Sequence, residues 1–121
     1  MKFKFKRYIY FCQDMEKMLS FYRDTIGLKA KTNGIHDISE WVELGGAEFN
    51  LCLHRSPSPA FEGRNKNKLV FEVDDVARAR EYLVSKKVKM GKHHFWDVGE
   101  VCDGTDPEGN KFQISVPRKK V

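Results

Sequence analysis

The sequence predicts an α+β fold made of two copies of one β-α-β-β-β pattern, and three observations lead there. The segment Arg7-Tyr8-Ile9-Tyr10-Phe11-Cys12-Gln13-Asp14-Met15 runs into a helix-like stretch ending Phe21-Tyr22. Lys68-Leu69-Val70-Phe71-Glu72-Val73-Asp74-Asp75-Val76 runs into a second one ending Tyr82-Leu83, so Arg7 matches Lys68 and Asp14 matches Asp75 at an offset of 61 (68 − 7 and 75 − 14). Each copy also closes on a similar strand, Glu48 to Leu53 and Lys111 to Val116. Asn50 and Gln113 lie 63 apart (113 − 50), so an insertion of two residues is expected between the registers. A recurring supersecondary unit explains all three observations.

Taken in order, residues 3 to 12 alternate polar and apolar and predict a strand. Asp14 suits a helix N-cap, its carboxylate accepting an orphan amide hydrogen bond. Met15, Met18, Leu19, Tyr22 and Ile26 then repeat at helical spacing, and Gly27 supplies the left-handed stop. Residues 28–33 and 39–44 are expected as strands, with Gly45-Gly46 turning tightly into strand 47–54. Residues 55 to 67, rich in Ser, Pro, Gly and Asn, form the linker. In the second copy, strand 68–73 precedes an Asp75-capped helix burying Val76, Ala79, Tyr82 and Leu83. Strands near 87–90, 98–103 and 111–116 follow, the last two joined by an Asp106-Pro107-Glu108-Gly109 turn. The expected organisation is one domain over residues 1–121, with module one at about 3–54 and module two at about 68–117.

Alternation sorts the side chains onto two faces. Leu69, Phe71 and Val73, Phe49, Leu51 and Leu53, and Phe112, Ile114 and Val116 belong to the dry faces. Lys68, Val70, Glu72, Glu48, Asn50, Cys52, His54, Lys111, Gln113 and Ser115 lie opposite, and Arg7 shares a face with Ile9 and Phe11. Such a mixed face either meets water or lines a cup.

Composition narrows the function. At 121 residues with 40% hydrophobic and 12% aromatic content, the chain suits one globular core. No apolar run approaches the roughly 20 residues of a membrane helix. Lys2, Lys4 and Lys6 alternate with Phe3 and Phe5 in a strand-like way unlike a signal peptide, so a cytoplasmic protein is expected. Cys12, Cys52 and Cys102 form no CxxC pair and read as reduced, packed thiols. Net charge is +5, much of it at the two ends, and no helix concentrates Lys and Arg. Neither nucleic acid nor membrane is therefore an expected partner.

Asp14…Phe21-Tyr22…Ile26-Gly27-Leu28, then Phe71-Glu72-Val73-Asp74-Asp75-Val76, then Asp106-Pro107-Glu108-Gly109-Asn110-Lys111 together resemble the glyoxalase / bleomycin-resistance / extradiol-dioxygenase superfamily, also called the vicinal oxygen chelate fold. The resemblance spans roughly residues 7 to 117. It implies paired βαβββ modules forming a curved mixed sheet around a cup, within one chain or across a homodimer with exchanged modules. It also implies a divalent metal, held by a His or similar group in the first strand of each module and a Glu in the last. Those positions fall on Arg7, Asn50, Lys68 and Gln113. Arg has no lone pair to offer, Lys must first lose its proton, and amides bind hard cations weakly. No metal and no cofactor are therefore expected.

Three readings of Arg7 and Lys68 stand. They pair with Glu48, Glu72 or Asp103, they are left for a ligand carboxylate or phosphate that Asn50 and Gln113 orient, or their face is partly solvated and has no role. The candidate ligand-binding set is Arg7, Asn50, Lys68, Gln113, Glu48, Trp96 and Asp103; no catalytic residue is assigned. His36 falls in a loop, His54 ends a strand, and adjacent His93 and His94 point to opposite faces, so these two chelate poorly together. Trp41 and Phe95 are expected as walls. The function expected is that of a homodimer whose cups bind a small anionic or zwitterionic, aromatic-containing molecule without the family's metal. The alternative is a lyase or isomerase whose metal uses a relocated set such as His54, Glu48, Glu72 and Asp103. A third reading keeps the fold as an interaction scaffold only.

Overall fold

A computed structural model describes residues 1–31, 38–46, 49–56, 67–97 and 99–117. The chain divides into two compact units, Met1–Ala60 and Phe61–Val121.

The first unit contains β1 (Tyr8–Cys12), α1 (Met15–Leu19), β2 (Lys29–Lys31), β3 (Trp41–Gly45) and β4 (Asn50–Arg55). Its sheet has the order β1-β4-β3-β2, with β1 and β4 parallel and the other pairs antiparallel. Asp14 caps α1 by accepting the Lys17 amide at 3.0 Å. The helix then widens into a π-helical turn at Ser20–Thr25, where the Ile26 amide reaches back to the Phe21 carbonyl at 2.9 Å. The wider turn inserts a residue into the helical repeat. Met15, Met18, Leu19, Phe21 and Tyr22 are consequently the buried set, and Ile26 is only half-buried. Gly27 adopts φ +95°, the stop expected of it.

The second unit repeats this plan with β5 (Leu69–Glu72), α2 (Val76–Ser85), β6 (Lys89–Trp96), β7 (Gly99–Thr105) and β8 (Lys111–Pro117). Its order is β5-β8-β7-β6, with β5 and β8 parallel. Asp75 accepts the Arg78 amide at 3.0 Å. The Asp106 turn is built as expected: the carboxylate is buried, accepts the Glu108 and Asn110 amides at 2.9 Å each, and takes the Asn110 side-chain amide at 2.9 Å. Leu51, Leu53, Phe112 and Ile114 are buried on the dry faces.

Four expectations are corrected. β1 begins at Tyr8, not residue 3, because its parallel partner β4 begins only at Asn50; in register, residues 3 to 6 would need partners from the preceding turn. That turn is longer than a Gly45-Gly46 hairpin. β3 runs through Gly45, and the Gly46 amide closes onto the Phe49 carbonyl at 3.2 Å. β6 extends to Trp96, past an irregularity between Met90 and His93 that breaks the alternation a reader would follow. Tyr82 is exposed with the Lys86 ammonium 5.8 Å above its ring, because the buried stripe of α2 runs along Val76 and Leu83. Most of the 55–67 linker lies outside the described residues, as do His36 and Glu48.

Candidate functional site

The polar face of each sheet is organised in rows that cross the strands. In the first module Ile9, Cys52 and Glu43 stand side by side on β1, β4 and β3, and Phe11, His54 and Trp41 form the next row. Arg7 and Asn50 begin the face, beside Gly45 on β3. In the second module the rows are Val70, Gln113 and Asp103, then Glu72, Ser115 and Val101, with Lys111 and Thr105 ahead of them and Lys68 at the strand entry.

This register overturns the expected two-residue insertion. Tyr8 pairs with Leu51 and Leu69 with Phe112, so first and last strands keep the same offset of 61 (69 − 8 and 112 − 51) in both modules. The counterpart of Gln113 is therefore Cys52, and that of Asn50 is Lys111. The amides nevertheless serve similar ends from unlike positions.

Around Glu43, the Arg7 Nε donates at 3.3 Å, the Asn50 Nδ2 at 3.2 Å and the Cys52 thiol at 3.4 Å. Lys31 reaches the Asn50 Oδ1 at 2.7 Å. It passes over Gly45, where a Cβ would lie 2.6 Å from the Lys31 Cε. Around Asp103, the Lys68 Nζ donates at 3.0 Å and the Gln113 Nε2 at 2.9 Å. Lys111 is held by the Thr105 hydroxyl at 2.9 Å. Each module thus carries two cations, one carboxylate and one amide, a local net charge of +1.

These surroundings set the protonation states. Burial pushes the Asp103 carboxyl up, but hydrogen bonds from Gln113 and Lys68, with the charges of Lys68 and Lys111, outweigh it and hold the group below its usual range. Burial, then the hydrogen bond to Glu43, pushes the Cys52 thiol up to about 11. Burial also raises Cys102. All three cysteines are buried and free, and neither of these two thiols has the lowered pKa of a nucleophile.

Of the residues singled out from the sequence, Arg7 and Asn50 meet in one module, and Lys68, Asp103 and Gln113 in the other. Trp96 does not join the second group: it packs on His94 at 5.9 Å and pairs across to Gly99, two rows beyond Asp103. Glu72 is exposed, and Lys68 turns to Asp103 instead. His93 points to the other face, with its Nε2 2.8 Å from Glu100. Sequence reasoning missed Glu43, Lys31 and Lys111, and did not group Phe11, His54 and Trp41. Glu43 was recoverable, since it alternates with buried Val42 and Leu44 and stands at an offset of 60 (103 − 43) from Asp103.

The donor set at these positions does not fit a divalent metal. Arg7 offers no lone pair, Lys68 is hydrogen-bonded as a cation, and both carboxylates already receive a cation and an amide. Among the described residues no three of His, Cys, Asp and Glu gather. No helix among them is long and apolar enough to cross a membrane.

A family model described as Glyoxalase/Bleomycin resistance protein/Dioxygenase superfamily matches residues 4–114. No curated protein matches the chain in sequence. The fold is similar to that of TnmS3, an antibiotic binding protein from Streptomyces sp. CB03234, with a TM-score of 0.79 and 23% identity over 98% of this chain and 99% of that one. It is similar to FosX, a genomically encoded fosfomycin resistance protein from Listeria monocytogenes, with a TM-score of 0.79 and 15% identity over 98% and 96%. It is also similar to a lactoylglutathione lyase from Agrobacterium tumefaciens, with a TM-score of 0.70 and 17% identity over 93% and 92%.

Proposed function

This chain belongs to the Glyoxalase/Bleomycin resistance protein/Dioxygenase superfamily, and from that premise we propose that it binds a small molecule bearing an anionic group, non-covalently and without a divalent metal. The observation that carries the reading is the duplicated cluster of two cations, one carboxylate and one amide on the polar face of each module. At the first-strand positions where metal-using members place a ligand, this chain places Arg7 and Lys68, already held by Glu43 and Asp103. A divalent ion would have to displace those cations and be held by one carboxylate and neutral groups. A ligand carboxylate or phosphate meets the reverse situation, a net positive cluster with hydrogen-bond donors to spare. A zwitterion is accommodated too, because each cluster also offers a carboxylate. The antibiotic-binding role in the name of TnmS3 supports binding rather than turnover, at the level of a shared fold.

Calorimetric titration of chelator-treated protein with Ni(II), Zn(II), Mn(II) and Fe(II) tests the proposal. We expect no stoichiometric binding. Tight binding of one ion per chain would overturn it and return a metal-dependent lyase or isomerase to the front.

A further inference from the structure

Resting on the binding reading above, we infer that the open face of the first module takes one class of ligand: a flat aromatic ring joined through a short spacer to a carboxylate, the carboxylate on Arg7 and the ring on the Phe11–His54–Trp41 row. The anchor comes first. Arg23 grips Asp24 through two nitrogens, at 2.8 and 3.2 Å, whereas Arg7 makes one long hydrogen bond to Glu43, through Nε alone. Its terminal amino groups make no hydrogen bond to a carboxylate among the described residues, which leaves the forked edge that matches a ligand carboxylate. Lys31 adds a second positive charge and has no carboxylate partner among the described residues.

The platform lies on the same face. The ring centroids of Phe11 and Trp41 each stand 5.3 Å from that of His54, so three rings form a contiguous aromatic row. Phe11 is 51% exposed and Ile9, between anchor and row, 38% exposed, which makes this an apolar surface open to a ligand. Arg7 leans over to Glu43 in the middle row, so its guanidinium stands about one row, roughly 7 Å, from the aromatic row. That distance is the length of the spacer.

The second module supplies an internal control. It repeats the charged cluster, but its matching row reads Glu72, Ser115, Val101 and His94, with a ring only at the β6 edge and with an added negative charge. An aryl carboxylate thus finds charge on both modules, and charge beside a row of three rings running across β1, β4 and β3 on the first alone.

The test uses 4-(1-naphthyl)butyrate and its neutral alcohol, 4-(1-naphthyl)butan-1-ol, titrated into the full chain by calorimetry. The acid should bind about tenfold or more tightly than the alcohol, the margin of one charge-assisted hydrogen bond. Arg7→Met should collapse that margin to about twofold or less, with Arg7→Gln used if the Met variant does not fold. Arg78→Met, at an exposed position of α2, should leave it intact, and Trp41→Ala should weaken acid and alcohol alike. A margin that survives loss of Arg7, or that disappears with Arg78, overturns the assignment to the first module while leaving the metal-free binding reading standing. Absence of binding by both probes overturns the inference as well. Tight metal binding in the separate titration overturns the underlying reading instead.

Discussion

Asp103 shows how much a single partner matters at the scale of one residue. Its carboxyl is held below the usual range against the upward pull of burial, by Gln113 and Lys68 before any longer-range charge. A carboxylate whose folded pKa is lowered stabilises the protein above the ordinary carboxylate range, and that contribution is lost as pH falls through the folded value. Lys68→Met should therefore move the Asp103 carboxyl upward, as an NMR titration of its side-chain carbon would record. The variant should also lose less stability than the parent as pH falls through and below the ordinary carboxylate range. The effect on stability will be small, because both side chains are part-exposed and solvent screens the pair. A second expectation concerns the thiols. With Cys12, Cys52 and Cys102 buried and Cys52 pushed up to about 11, iodoacetamide at neutral pH should alkylate the folded protein slowly and label all three positions in urea. Rapid labelling of Cys52 in the native state would contradict this burial. The pairing of Lys68 with Asp103 was legible in the sequence because alternation alone puts them on one face. The pairing of Arg7 with Glu43 was not, because alternation pointed to Glu48, Glu72 or Asp103, whereas the carboxylate comes from β3.

Secondary elements divide into those fixed by local chemistry and those fixed by their neighbours. Both helix starts belong to the first kind, since Asp14 and Asp75 each cap through a hydrogen bond that depends only on the residue three positions on. The Asp106 turn does too. The start of β1 belongs to the second kind, as does the length of β6: a strand extends only where a partner strand accepts it. The π-helical turn at Ser20–Thr25 has no marker in the sequence that a helical repeat would reveal. Close packing of β7 on β8 turns on Gly104. A Cβ there would meet the Phe112 ring and the Met90 sulfur. Phe112 is fully buried and cannot swing away freely. Gly104→Ala should accordingly destabilise the protein by about 1–3 kcal/mol, the usual range for overpacking, as read by urea denaturation. An unchanged midpoint would mean that the ring and sulfur yield without cost.

Across the whole chain, duplication was the most legible property, and its register the least. The sequence match of Asn50 with Gln113 rested on two amides of similar type. Strand pairing matches Cys52 with Gln113 instead, because parallel partners must keep one offset along their length. Of the candidate site, Arg7, Asn50, Lys68, Asp103 and Gln113 were legible from alternation and resemblance, whereas Lys31, Glu43 and Lys111 acquire meaning only once neighbouring strands set them side by side. Divergence between the copies then becomes visible: the charged clusters persist in both, whereas three rings cross β1, β4 and β3 in the first and the second keeps rings only on β6, at His94 and Trp96.

The parallel pairing of first with last strand has a consequence for the order of events in folding. Tyr8 waits for Leu51 and Leu69 for Phe112, a separation of 43 residues (51 − 8 and 112 − 69) in each module. Among the described residues β1 has one partner strand, so it leaves the ribosome long before that partner exists. Non-local closure of this kind slows folding and leaves a strand edge open to wrong pairings meanwhile. A nascent chain halted before residue 50 would hold an amphipathic strand and helix with nothing to complete them.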